Sequence, residues 1–154
     1  MAEDAAPGAG WRIVELANTF EAFGMVIDFL SASLPFSSFE LGPFSGVIRD
    51  QLSLAHNFTA IDPNNNIVGY AGWILTTRAN AELWERDMGM LRAIVEPAAD
   101  AAALTVVASN NKAATLALIR ACRDRNKDIR VFFKRGYDGQ MRTSRKSSVL
   151  NFGS

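Results

Sequence analysis

The chain has 154 residues, 49% of them in the hydrophobic set and 21% charged, with one cysteine and one histidine. That is the size and composition of one globular domain, and it excludes a disordered tail, a collagen-like repeat and a disulfide-stapled miniprotein. Its net charge of zero is a cancellation: residues 1–100 carry 5 Lys/Arg against 13 Asp/Glu, a balance of −8, whereas residues 101–154 carry 11 against 3, a balance of +8. Such asymmetry points to an acidic partner or to internal charge pairing.

In chain order, residues 1–10 (MAEDAAPGAG) read as a flexible lead-in without the basic start and apolar centre of a signal peptide. No apolar run reaches the roughly 18 residues of a membrane span, so the expected compartment is a reducing cytoplasm. From Trp11 the apolar positions Ile13, Leu16, Phe20, Phe23, Ile27 and Leu30 step by three and four residues, which predicts one helical face ended by Pro35. A loop over 35–42 follows. Pro43 then suits a first helical position, with Phe44, Val47, Ile48 and Leu52 as the buried stripe of a second helix reaching Ala55.

The period changes at His56. Residues 57–61 and 67–75 are rich in β-branched and aromatic side chains, and DPNNN between them carries turn residues, so an antiparallel hairpin is expected. Residues 78–95 fit a helix with Leu83, Trp84, Met88, Leu91 and Ile94 inward. The apolar run 103–108 (ALTVVA) suits a strand buried on both faces. A helix over 112–125 follows, with Leu116, Ile119 and Cys122 inward, then a strand over 129–135 and a closing hairpin through GYDG to residues 140–143. The polar stretch 144–154 reads as a frayed tail, which leaves one domain over 11–143. The expected class is α+β: a mixed, mainly antiparallel sheet flanked by helices in the order α-α-β-β-α-β-α-β-β, the order of the GNAT acyltransferase architecture.

Chemistry is sparse. One His and one Cys cannot supply an N/S metal site, and the carboxylates show no ligand spacing, so no metal is expected. Neither GxGxxG, GxxxxGK[ST] nor GxSxG occurs. His56 is the candidate general base, weighed against a plain boundary residue. Cys122, on an inward helical face, is expected to be an inert thiol. Ser109, Asn110, Asn111 and Lys112 join a buried strand to a helix, where free N–H groups could hold a phosphate or pantetheine; the alternative is that they only cap the helix. Arg120, Arg123, Lys134 and Arg135 belong to the basic stretch and are the candidate docking residues for an acidic partner, against the alternative of a solvated face. Nucleic acid ranks last among such partners, because no nucleic-acid motif accompanies the charge. The phenylalanines near 36–44 mark either a dimer surface or the closing of the core.

The succession NNIVGYAGWILTT, AELWERDM, ALTVVASNN and IRVFFKRGYDGQMR, spread over roughly residues 25–143, resembles the toxin-activating lysine acyltransferases. The resemblance implies a GNAT-like fold and transfer of an acyl group from acyl carrier protein, or acyl-coenzyme A, to a protein lysine amine, with no permanently bound cofactor. It also implies an acidic carrier protein docking on the basic end. Where that family carries a catalytic His, this chain has Leu34-Pro35-Phe36-Ser37-Ser38; where the family carries a strand Asp, this chain has the run 104–108. The alternative expectation is therefore an inactive GNAT-like module that keeps the fold and binds an acidic partner.

Overall fold

A computed structural model describes residues 4–5, 10–135 and 146–151. Two short strands, β1 (Asp4–Ala5) and β2 (Arg12–Val14), precede the first helix, α1 (Phe20–Ser31). The helix expected from Trp11 is thus a strand for its first part. Trp11 and Ile13 are buried and Arg12 and Val14 less so, an alternation of period two, and Ile13 sits opposite Ala60 of the sheet. Thr19 starts α1 by accepting the Ala22 N–H at 3.0 Å. The buried stripe is Ala22, Val26 and Leu30, so Phe20, expected inward, is 93% exposed.

A 3-10 turn (Phe36–Ser38) leads to α2 (Leu41–Ser53), which buries Ile48, Gln51 and Leu52. Pro43 lies in its first turn rather than at its first position. The hairpin forms as expected from β3 (Asn57–Ile61) and β4 (Ile67–Thr76). Asp62 closes its turn by accepting the N–H groups of Asn64 and Asn66, both at 2.9 Å, and those bonds hold its carboxyl below the usual range.

Helix α3 covers only Arg78–Glu85. Asp87 takes a left-handed φ of 57° just past its end, and residues 86–100 run irregularly. Asn80 holds that segment in place: its Nδ2 donates to the Met90 carbonyl at 2.8 Å and its Oδ1 accepts the Arg92 N–H at 2.7 Å. Met88, expected inward, is exposed for this reason. After β5 (Ala101–Ser109), α4 spans Lys112–Arg125 with the expected bounds, capped by Asn111, whose Oδ1 accepts the Ala114 N–H at 2.7 Å. Ile119 and Cys122 face the core together with Leu118, while Leu116 points out.

Strand β6 (Arg130–Arg135) is followed by β7 (Lys146–Leu150), which pairs with it antiparallel, so part of the expected tail is sheet. The expected turn at GYDG and residues 140–143 lies outside the described residues. The seven strands of the described residues stand in chain order, all antiparallel except the β5–β6 pair. This α+β sheet has two covered faces. Against α4 lie Ala71, Trp73, Leu104, Val131 and Phe133; against α1 and α2 lie Tyr70 and Val106.

Candidate functional site

Two irregularities in β5 coincide. Its pairing with β4 steps from Gly72↔Val106 to Trp73↔Leu104, which leaves Thr105 as the extra residue of a β-bulge. Its parallel pairing with β6 runs from Ala101↔Arg130 to Leu104↔Phe133 and ends there. Thr105 therefore stands without a ladder partner on either side, where β5 and β6 part.

The bulge also reverses the phase of the strand. Leu104 faces α4, yet Val106, two residues on, faces α1 and α2. Thr105 and Val106 together form the floor of an apolar cavity of about 420 Å³, whose other walls come from Ser38, Phe39, Glu40, Pro43, Phe44 and Val47. The phenylalanines near 36–44 shape this wall: Phe36 stacks on Phe44 with ring centres 5.7 Å apart, and Phe39 meets both edge-on. Glu40 supplies the one carboxylate of the lining.

Behind the floor runs a chain of buried polar groups. The Tyr70 hydroxyl donates to Gln51 Oε1 at 2.9 Å, and Gln51 Nε2 donates to Thr105 Oγ1 at 3.0 Å. Gln51 is 1% exposed and Tyr70 fully buried, and burial drives the phenol pKa far above its ordinary value. Gly72 makes room for this arrangement, because a Cβ there would overlap the Gln51 amide. Asn57 anchors the same region by donating to the Gln51 carbonyl at 3.2 Å and accepting the Leu16 N–H at 2.9 Å.

The residues singled out from sequence do not converge here. His56 stacks on Trp73 with ring centres 5.5 Å apart, and Trp73 belongs to the α4 face, opposite the cavity. Burial pushes the imidazole pKa below 6.5; Glu96 and Glu15 oppose that shift and Arg125 adds to it. The indole Nε1 of Trp73 is buried without a partner among the described residues. Cys122 is buried on the same face, and burial raises its thiol pKa far above the ordinary value, which leaves it inert.

Ser109 to Lys112 form a tight turn into α4. The Ser109 hydroxyl donates to the Asn111 carbonyl at 2.7 Å and accepts the Asn111 N–H at 3.1 Å, and Asn110 N–H donates to the Val68 carbonyl. Lys112 is exposed. The cap on Ala114 takes one of the first amides of the helix.

The basic residues are divided between the two faces. Arg120 and Arg123 lie on the outer side of α4, with Arg123 bound to its neighbour Asp124 at 2.9 Å. Lys134 is not part of an open cationic surface: its side chain is 6% exposed, its ammonium contacts Asp87 at 2.6 Å, and it sits 4.5 Å from the Trp84 ring centre. Its position one residue past Phe133 turns it toward α3 and away from α4. Arg135 has a described backbone, and its side chain lies outside the described residues. Arg125 also pairs with an early acid, Glu15, at 2.8 Å.

Sequence reasoning passed over Gln51, Tyr70, Thr105 and Glu40. The available signal was Thr105 itself, a lone hydroxyl in an otherwise apolar run. Among the described residues no cluster of His, Cys, Asp and Glu could hold a metal ion, and no helix is long and apolar enough to cross a membrane.

No protein-family model matches the sequence, and no curated protein matches it. Solved structures do share its fold. The loading GNATL domain of CurA from Lyngbya majuscula superposes with a TM-score of 0.56 at 10% identity, covering 86% of this chain and 70% of that one. An acetyltransferase of the GNAT family from Listeria monocytogenes 4b F2365 gives 0.52 at 14% identity, covering 89% and 83%. The PaiA N-acetyltransferase from Thermoplasma acidophilum, solved in complex with coenzyme A, gives 0.50 at 10% identity, covering 84% and 82%. At these identities the likeness concerns architecture: the chain has a GNAT-like fold.

Proposed function

We propose that the protein is an acyltransferase that moves an acyl group from a thioester donor, acyl-coenzyme A or acyl carrier protein, to an amine, with a protein lysine as the acceptor that the sequence resemblance favours. The observation that carries this reading is the coincidence of bulge, strand separation and apolar cavity at Thr105. The two segments that match the catalytic positions of the toxin-activating acyltransferases, 34–38 and 104–108, both contribute to that cavity, through Ser38 on one side and Thr105 and Val106 on the other. The solved structures with this fold include one in complex with coenzyme A, which supports a coenzyme A thioester as donor.

In this reaction the amine nitrogen attacks the thioester carbonyl, the C–S bond breaks, the amide forms and the thiolate leaves. The attacking amine must lose a proton and the developing oxyanion needs donors. Glu40 is the carboxylate on the cavity wall, and in this reading it receives that proton and passes it to the leaving thiolate, so that the products are the amide and a free thiol. His56, on the other face of the sheet, has no part in it. Ser109, Asn110, Asn111 and Lys112 would meet the phosphates of the donor at the start of α4, and Arg120 and Arg123 would meet an acidic carrier protein.

The second reading is a binding module without turnover. It is favoured by the lining of the cavity, in which Glu40 is the only ionisable side chain and no imidazole takes part. Incubating the full chain with labelled octanoyl-coenzyme A or octanoyl carrier protein, and an amine acceptor, separates the two. Binding with transfer supports the enzyme and binding alone supports the module, while failure of both donors to bind sinks both readings.

A further inference from the structure

We propose that Tyr70, Gln51 and Thr105 form a directed hydrogen-bond relay that presents one hydroxyl donor to the apolar cavity, so that the cavity selects apolar molecules carrying a carbonyl over equally apolar molecules without one. Thr105 is the residue that would contact the ligand; Gln51 and Tyr70 are positioning residues.

The direction of the relay follows from burial. Tyr70 is enclosed completely, so its hydroxyl hydrogen needs a protein acceptor, and Gln51 Oε1 at 2.9 Å provides it. Turning the amide over would aim an N–H at Tyr70 and strand the phenol hydrogen. With Oε1 committed to Tyr70, Nε2 must face Thr105, 3.0 Å away, and the Thr105 oxygen becomes an acceptor. The Thr105 hydrogen is then directed away from Gln51, and the cavity it lines is the space beside it. Gly72 keeps the relay in register, because any side chain there would displace the amide.

A hydroxyl oriented in this way is a poor neighbour for plain hydrocarbon and a good one for a carbonyl oxygen, since an unsatisfied donor beside a buried ligand is costly. An acyl thioester is one such carbonyl compound, and the identification of the ligand as a thioester rests on the acyl-transfer reading above. The relay itself rests on the geometry alone.

The test compares S-octanoyl-N-acetylcysteamine, which has the carbonyl, with S-octyl-N-acetylcysteamine, which lacks it, by calorimetric titration of the full chain. The native protein is expected to prefer the thioester by about tenfold, the worth of one good hydrogen bond. Thr105→Val should abolish the preference and Thr105→Ser should keep it. Tyr70→Phe and Gln51→Met should each reduce it by about threefold, through loss of orientation. The ratio of two ligands within one variant is insensitive to partial loss of folded protein, so a merely structural role would leave it unchanged. Equal binding of the two probes to the native chain, no binding of either, a preference that survives Thr105→Val, or one left undiminished by both Tyr70→Phe and Gln51→Met would overturn the relay. Acyl transfer with a flat ratio defeats the relay alone; an intact ratio without transfer defeats the enzyme reading alone.

Discussion

The two faces of the central sheet are built on different terms. Against α4, Leu118, Ile119 and Cys122 meet Ala71, Trp73, Leu104, Val131 and Phe133, and the polar groups are a sealed thiol, an indole N–H and an imidazole at the edge. Against α1 and α2, the same strands bury Gln51, Asn57, Thr59 and Tyr70 beside Thr105. A face of the first kind needs volume and shape, and tolerates a defect as a local void. On a face of the second kind the bonds from Tyr70 through Gln51 to Thr105 depend on one another, so small displacements propagate along them, while Thr59 Oγ1 on the same face is buried without a partner among the described residues. The difference suggests that stability is concentrated on the α4 side and ligand chemistry on the other.

Leu118→Ala tests the stability half of that contrast and should have the largest effect. Leu118 is fully buried between α4 and β4, and its truncation should cost about 3 kcal/mol in denaturant unfolding. The preference for thioester over thioether should stay as in the native chain, since the cavity lies across the sheet. A changed preference would mean that the two faces are coupled.

Gly72→Ala tests the other half. The added methyl must displace the Gln51 amide and break its bonds to Tyr70 and Thr105, at a cost of about 2 kcal/mol. In a Gln51→Ala background the same methyl should cost under about 1 kcal/mol, because the obstruction is gone. A double-mutant cycle reads that interaction directly. Additive costs would show that Gly72 is constrained by the backbone and not by the relay.

Asn111→Ala comes next, with an expected loss of about 1 kcal/mol from the α4 cap. Cap and donor cradle are distinguishable here. If the turn 109–112 only starts the helix, octanoyl-coenzyme A binding is unchanged once stability is accounted for. If the turn holds the donor phosphates, affinity falls as well.

The legibility of the two faces in the sequence differs for the same physical reason that their energetics do. Helix α4 and the β3–β4 hairpin could be read to within one residue of their bounds because local rules dictate them: Asn111 before a helical period, DPNNN between two runs rich in β-branched and aromatic residues. The strand at Arg12–Val14 was obscured by an accident of spacing, in which residues beside and within a strand and residues of a helix fell on one apparent stripe. The 86–100 segment depends on side-chain bonds from Asn80, which no periodicity encodes. The relay is harder still, since Gln51 and Thr105 stand 54 residues apart and meet only because a bulge turns Thr105 to the α2 side. Charge was legible as a sum but not as a surface: Lys134 counts toward the basic stretch, yet it is spent on Asp87 and Trp84.

His56 gives the smallest effect and the finest discrimination, because it is the titratable imidazole on the face assigned to stability. Burial against Trp73 lowers its pKa below 6.5, so the folded chain binds the proton less readily than the unfolded chain does. Its contribution to stability is therefore complete above pH 6.5 and is lost as pH falls through the lowered folded-state value. Replacing it by His56→Gln should flatten the fall of unfolding free energy across that acidic interval, measured by denaturant titration at a series of pH values. Acyl transfer, if His56 is only a packed imidazole, should keep its native pH profile in the same variant. A transfer profile that loses its acidic limb in His56→Gln would restore His56 as the base and would mean that chemistry reaches through the sheet from the face that looks purely structural.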